Sequence, residues 1–157
     1  MTKPISHKNF TNNIFALFEE TFDKHDGVYL DNGTSLFETL DTISSEEASR
    51  PVSAHCASLA AQVTHVIFYM EVLEKTMLHQ ELGKVDWNEI WNRVEVVTSD
   101  EWVALKQQLK QTYQRISTLM HSIDDWDDDD RVGGAIAIIV HTAYHLGEIR
   151  QALCTLQ

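Results

Sequence analysis

Six apolar residues in the middle of the chain, Leu59, Val63, Val66, Met70, Leu73 and Met77, recur at alternating intervals of four and three. That spacing keeps all six on one side of an α-helix and scatters them over both faces of a strand, so the stretch must be helical and must find a partner for its stripe. A long helix is predicted from about Ser53, a good cap, to about His79. Three other segments share the period. Phe10, Ile14, Leu17, Phe18 and Phe22 mark a helix from about Ser6 to Lys24, stopped by Asp26-Gly27. Trp102, Leu105, Leu109, Ile116, Leu119 and Ile123 mark another, opened by the capping pair Thr98 and Glu101. Ile139, Ala143, Leu146, Ile149, Leu153 and Leu156 mark the last, from about Arg131 with Asp130 as its cap. The 2 prolines both lie outside these segments, so nothing interrupts them.

Four long amphipathic segments predict an all-α, four-helix bundle, with residues 1–157 forming a single domain. The third and fourth helices are joined by few residues and should be antiparallel neighbours. The second and third are separated by roughly twenty residues, which extended reach on the order of 60 Å. The second helix is only about 40 Å long at its rise per residue. That connection is a long crossover able to traverse the bundle, which predicts an up-down-down-up order. Between the first two long helices, Ser35 with Glu38 and Ser44 with Glu47 predict two short capped helical pieces. Asp86 to Trp91 reads as a short capped turn whose tryptophans plug an end of the bundle.

The chemistry-bearing residues lie near the C-terminus. His141 and His145 are four apart, so on a helix their imidazoles project from one face, one turn apart. His65 stands one residue before Val66 of the regular seam, and His145 one residue before Leu146, so both border the bundle interior. Imidazoles in such places either bury a polar ring against a hydrogen-bond partner or share a cation such as Zn, Ni, Cu or Fe.

His65 within Ala61-Gln62-Val63-Thr64-His65-Val66, together with His141-Thr142-Ala143-Tyr144-His145-Leu146-Gly147-Glu148-Ile149-Arg150-Gln151, resembles the DinB-like (DinB/YfiT-like) superfamily. The resemblance covers nearly the whole chain in helix order and linker pattern. It implies an up-down-down-up bundle in which His65, His141 and His145 hold a divalent transition metal, Zn or Ni. Three protein ligands leave a position open for water or a substrate, as in catalytic rather than structural sites. The implied activity is metal-dependent chemistry on a small molecule, thiol S-transfer with a low-molecular-weight thiol or hydrolysis. The rival reading is a non-catalytic, stress-associated metal-binding or protein-interaction bundle.

Several neighbours complete the expectation. Glu148, three residues after His145, is placed to receive an imidazole N–H or to act as a general base, and equally to sit in solvent or pair with Arg150. Gln62 and Tyr69 lie one turn either side of His65. Gly147, mid-helix, is read as a site of close helix packing. Cys56, placed on the second helix nearly opposite His65, reads as a small packed residue, and His55 as rotated off the histidine face. Metal binding through imidazole is expected to weaken below about pH 6, where protons compete for the ring.

Composition removes other classes. The formal charge is −12, from 24 acidic and 12 basic residues, which argues against a partner made of nucleic acid or an anionic membrane surface. The two cysteines, Cys56 and Cys154, have no metal-binding spacing and are read as free thiols. With no leader-like start and no apolar run read as long enough to span a bilayer, a cytoplasmic location is expected, and a homodimer through helix faces is a common arrangement for bundles. The acidic stretch Asp124 to Asp130 fails the calcium-loop pattern and is explained by the positive end of the last helix.

Overall fold

The regular seam forms the spine of the molecule. In the computed structural model, which describes residues 6–87, 91 and 96–156, it lies on helix α4 (Leu59–Met77), and every seam residue but the half-buried Leu73 is buried. The other long helices are α1 (His7–Phe22), α5 (Ser99–His121) and α6 (Asp129–Leu156), with short α2 (Leu36–Asp41) and α3 (Ser45–Ala48) between α1 and α4. Helix α4 packs most extensively on α6 and next on α5, while α1 packs on the other side of α6.

Side-chain contacts fix the directions. Arg115, late in α5, grips Glu74, late in α4, with Nε–Oε1 at 2.7 Å and Nη2–Oε2 at 2.8 Å, so these helices run parallel. Phe15 of α1 stacks on His121 at the end of α5, whereas Phe22 meets Tyr113 a few turns earlier, so α1 is antiparallel to α5. Gly134 at the start of α6 faces Met77 at the end of α4, so these two are antiparallel. The order is up-down-down-up, and Trp87 and Trp91 of the connection after α4 lie back against Phe68 and His65 of that helix, in keeping with the crossover that the connection length predicts. Asn88, Glu89 and Ile90 of the expected capped turn lie outside the described residues.

Local chemistry explains the boundaries, including two that differ from expectation. Capping boxes at Ser35, Ser44 and Thr98 are all formed. Helix α4 starts later than predicted, capped by Ser58, whose Oγ accepts from the Ala61 N–H at 3.2 Å. Ser53 closes only a single turn, its carbonyl accepting from the Cys56 N–H. The reason is burial: Leu59, Ala60 and Ala61 have a core to enter, whereas residues 51–56 are exposed. Cys56 and His55 are therefore on a loop, not on the helix. At α6, Asp128 rather than Asp130 caps the first turn, its Oδ1 accepting from the Arg131 N–H at 2.9 Å. Asp130 turns instead to His79.

Close packing between α4 and α6 is set by Gly134, where an added Cβ would lie 2.5 Å from Met77 Cγ. Gly147 does not have this role, because an added Cβ there would meet nothing within 4 Å. Helix α6 is, by length and composition, long and apolar enough to cross a bilayer, contrary to the sequence reading. Here its apolar residues Ala135, Ile138, Ile139, Leu146 and Ile149 belong to the bundle core.

Glu20 is an anchor with no sequence signal. It is fully buried at the end of α1, and its carboxylate accepts from the backbone N–H groups of Val28 (2.8 Å), Tyr29 (3.2 Å) and Leu30 (2.9 Å). Burial raises its pKa, but the three donated N–H bonds outweigh burial and hold it below the usual carboxylate value. The stabilisation is therefore present above the unfolded-state value near 4.5 and is lost as pH falls through the folded-state value. Glu20→Ala is expected to cost about 2 kcal/mol at neutral pH, read as a lower urea midpoint. An unchanged midpoint would show that water serves the 28–30 loop equally well.

Candidate metal centre

Helices α4 and α6 cross where both carry histidine. His65 leaves the middle of α4 toward α6, and His141 and His145 leave α6 one turn apart toward α4. The ring centroids are 5.0 Å apart for His65 and His141, 5.0 Å for His65 and His145, and 4.5 Å for His141 and His145. One ring nitrogen from each lies within 4.8 Å of the others. His65 and His145 are buried, at 7% and 3% exposure, and His141 is half-buried.

The donors have the character that a metal requires. His65 Nδ1, His141 Nε2 and His145 Nδ1 are all buried without a hydrogen-bond partner, an arrangement that costs free energy unless something occupies the nitrogens. Burial, with a smaller push from His145, lowers the His65 pKa from near 6.5 to about 4, against the pull of Glu148. Burial does the same to His141, helped by His145 and His65, again to about 4. His145 is lowered by burial and held up by Glu148. Each shift favours the neutral ring, the form that binds a cation. The residues present fit a three-imidazole site for a divalent transition ion.

Aromatic rings wall the cluster. Tyr69 stacks on His141, with centroids 3.6 Å apart and planes at 19°, and Trp91 stacks on His65 at 4.1 Å and 20°. Tyr144 meets His145 edge-on at 5.1 Å. Trp91 comes from the crossover, so the tryptophan read as a bundle plug lies directly over the histidines. Trp87 is next to it in the same wall, against Phe68 and Tyr69.

Glu148 is where the sequence places it. Its Oε2 lies 3.0 Å from His145 Nδ1, close enough for a charge contact but off the direction of the ring N–H, so no aligned hydrogen bond forms. Tyr144 lies near the same carboxylate, whose charge raises the tyrosine pKa. Gln62 is 8% exposed and its Oε1 lacks a donor. Thr142, between the two α6 histidines, is fully buried with an unpaired Oγ1, and nothing in the spacing of polar residues marks it.

A groove of about 780 Å³ runs beside the cluster, lined by Gln62, Trp91, Tyr144, Gly147 and Glu148 and, across from them, by the loop that carries His55 and Cys56. Cys56 is thus an exposed thiol at a groove, not a packed helix residue, and Cys154 is likewise exposed and free. The sequence reading missed the groove because it placed residues 53–57 in the helix.

A second group, His79 with Asp128 and Asp130, also brings three ligand atoms within 4.8 Å of one another. Both ring nitrogens already face carboxylates, at 3.2 and 3.3 Å, and the histidine is half-exposed. These contacts tie the end of α4 to the start of α6.

The depressed pKa values fix a pH window for the metal-free protein. In the unfolded chain the histidines titrate near 6.5 and in the folded chain His65 and His141 titrate near 4. Stability is full above pH 6.5 and falls as pH drops toward 4, because the unfolded state takes up more protons there. Thermal midpoints of the metal-free protein should decline across this window, and His65→Leu should flatten the decline. Parallel curves for the two proteins would contradict the burial of a neutral ring. Proton competition with a metal should also begin nearer pH 5 than the pH 6 expected for a free imidazole.

No protein-family model matches this chain, and no curated protein and no solved structure matches it either. The all-α bundle with its buried histidine cluster is consistent with a DinB/YfiT-like fold.

Proposed function

We propose that this chain is a DinB/YfiT-like metalloenzyme in which His65, His141 and His145 hold a divalent transition metal, Zn or Ni, for a reaction on a small molecule, thiol S-transfer or hydrolysis. The observation that carries this reading is the meeting of three imidazoles, two of them with a buried nitrogen that lacks a hydrogen-bond partner and the third facing Glu148, beside a groove large enough for a small molecule. A divalent ion at such a site supplies Lewis acidity.

The chain's own residues do the rest. Tyr69 and Trp91 stack on two of the rings, holding their orientation and keeping water off their faces. Glu148 contacts His145 on one side and the groove on the other, so its carboxylate can orient that ring or take up a proton from a molecule in the groove. The groove lined by Trp91 and Glu148, which contact His65 and His145, supports the enzyme reading over the non-catalytic one, because a purely structural site needs no cavity beside it.

Zinc titration of the full chain tests this. The wild type should bind a single equivalent, and His65→Ala, His141→Ala or His145→Ala should each weaken binding by roughly a hundredfold or more with helicity retained. Glu148→Gln should keep most of the zinc affinity and lower turnover, assayed on electrophiles presented with cellular thiols, by about 10–100-fold. Equal zinc affinity in the wild type and all three alanine variants would end the metal reading.

A further inference from the structure

Gln62 precedes His65 by three residues on α4, and Glu148 follows His145 by three on α6. Because the helices are antiparallel, both displacements go the same way, so Gln62 and Glu148 share a layer one helical turn, about 5 Å, beyond the histidines. Both line the groove. Gln62 is nine-tenths buried, and its Oε1 is an acceptor with no donor within reach among the described residues. Glu148 is a second acceptor in the same layer, with the His145 Nδ1 nitrogen 3.0 Å away but poorly aligned. Gly147 leaves its part of α6 without a side chain, and nothing packs into the space a Cβ would take. The layer thus presents acceptors to an open groove with apolar walls of Trp91 and Tyr144.

We propose that this layer is a recognition subsite for the amino group of a small organic amine, with Gln62 Oε1 and the Glu148 carboxylate accepting its N–H bonds. A protonated amine satisfies both acceptors at once, and a chain of net charge −12 favours a cation over an anion. An amine anchored here places the atoms a few bonds away beside the histidine layer, and the bare backbone at Gly147 leaves room for its body. That the bound molecule is the substrate rests on the metal-dependent reading above; that it binds here does not.

The test is binding of butylamine, butyramide and butyrate to the full chain, metal-free and zinc-loaded, followed by amide NMR shifts. Butylamine should bind best, butyramide more weakly and butyrate least. Gln62→Met, similar in size but without the acceptor, should weaken butylamine about tenfold. Gly147→Leu, which improves helix propensity while filling the groove, should abolish binding in a protein that remains folded. Butyrate binding as tightly as butylamine, or Gln62→Met leaving butylamine unaffected, would overturn the subsite and leave Gln62 to water. Amine binding without zinc binding would keep the subsite and remove the metal reading, and zinc binding without amine binding would do the reverse.

Discussion

Everything in this molecule turns on the antiparallel contact between α4 and α6. Along most of its length the contact is apolar, with Val63, Val66 and Met70 on one helix and Ile138, Leu146 and Ile149 on the other in one continuous core. In its middle the row is interrupted by His65, His141 and His145, whose rings meet with nitrogens unpaired. Burying unpaired nitrogens in such a contact is unfavourable, and the surrounding apolar packing is what tolerates it. The two helices are held close at one end by Gly134 against Met77 and clasped there by His79 with Asp128 and Asp130. Rules that are broken at one place in an otherwise consistent core point to function rather than to stability.

The parallel pairing of α4 and α5 has a consequence for the site. Parallel neighbours cannot be joined by a short turn, so the chain must return along the bundle. That return carries Trp87 and Trp91 across the α4–α6 face and sets Trp91 over His65. The 51–57 loop, which lies outside α4 with residues 51–56 exposed, also lines the groove. Two connections, not the helices alone, shape the groove beside the histidine layer.

The balance of charge around the cluster is also built from few parts. Glu148 is the carboxylate in contact with the rings, and it raises the His145 pKa while burial lowers it. His65 and His141 lack such direct support and fall to about 4. The layer is thus neutral where the rings converge and negative at its edge, an arrangement suited to holding a cation inside and a proton or an amino group at the rim.

Helix order, the core seam of α4, three capping boxes and the His141–His145 pair could all be read from the chain, because each depends on interactions between residues three or four apart or on connection length, whereas His65 as the third member was implied by the family resemblance. The spacing of His65 beside Val66 and His145 beside Leu146 was enough to aim both rings inward. The start of α4 was not legible: Ser53 and Ser58 are equally good caps, and the choice between them was made by the core that receives Leu59. With that choice went Cys56, His55 and the groove. The roles of Gly134 and Gly147, the burial of Glu20 under the 28–30 loop and the placing of Trp91 likewise depend on which parts of the chain meet at long range. Local periodicity carries the direction in which a side chain leaves its helix; what it finds on arrival is a property of the assembled bundle.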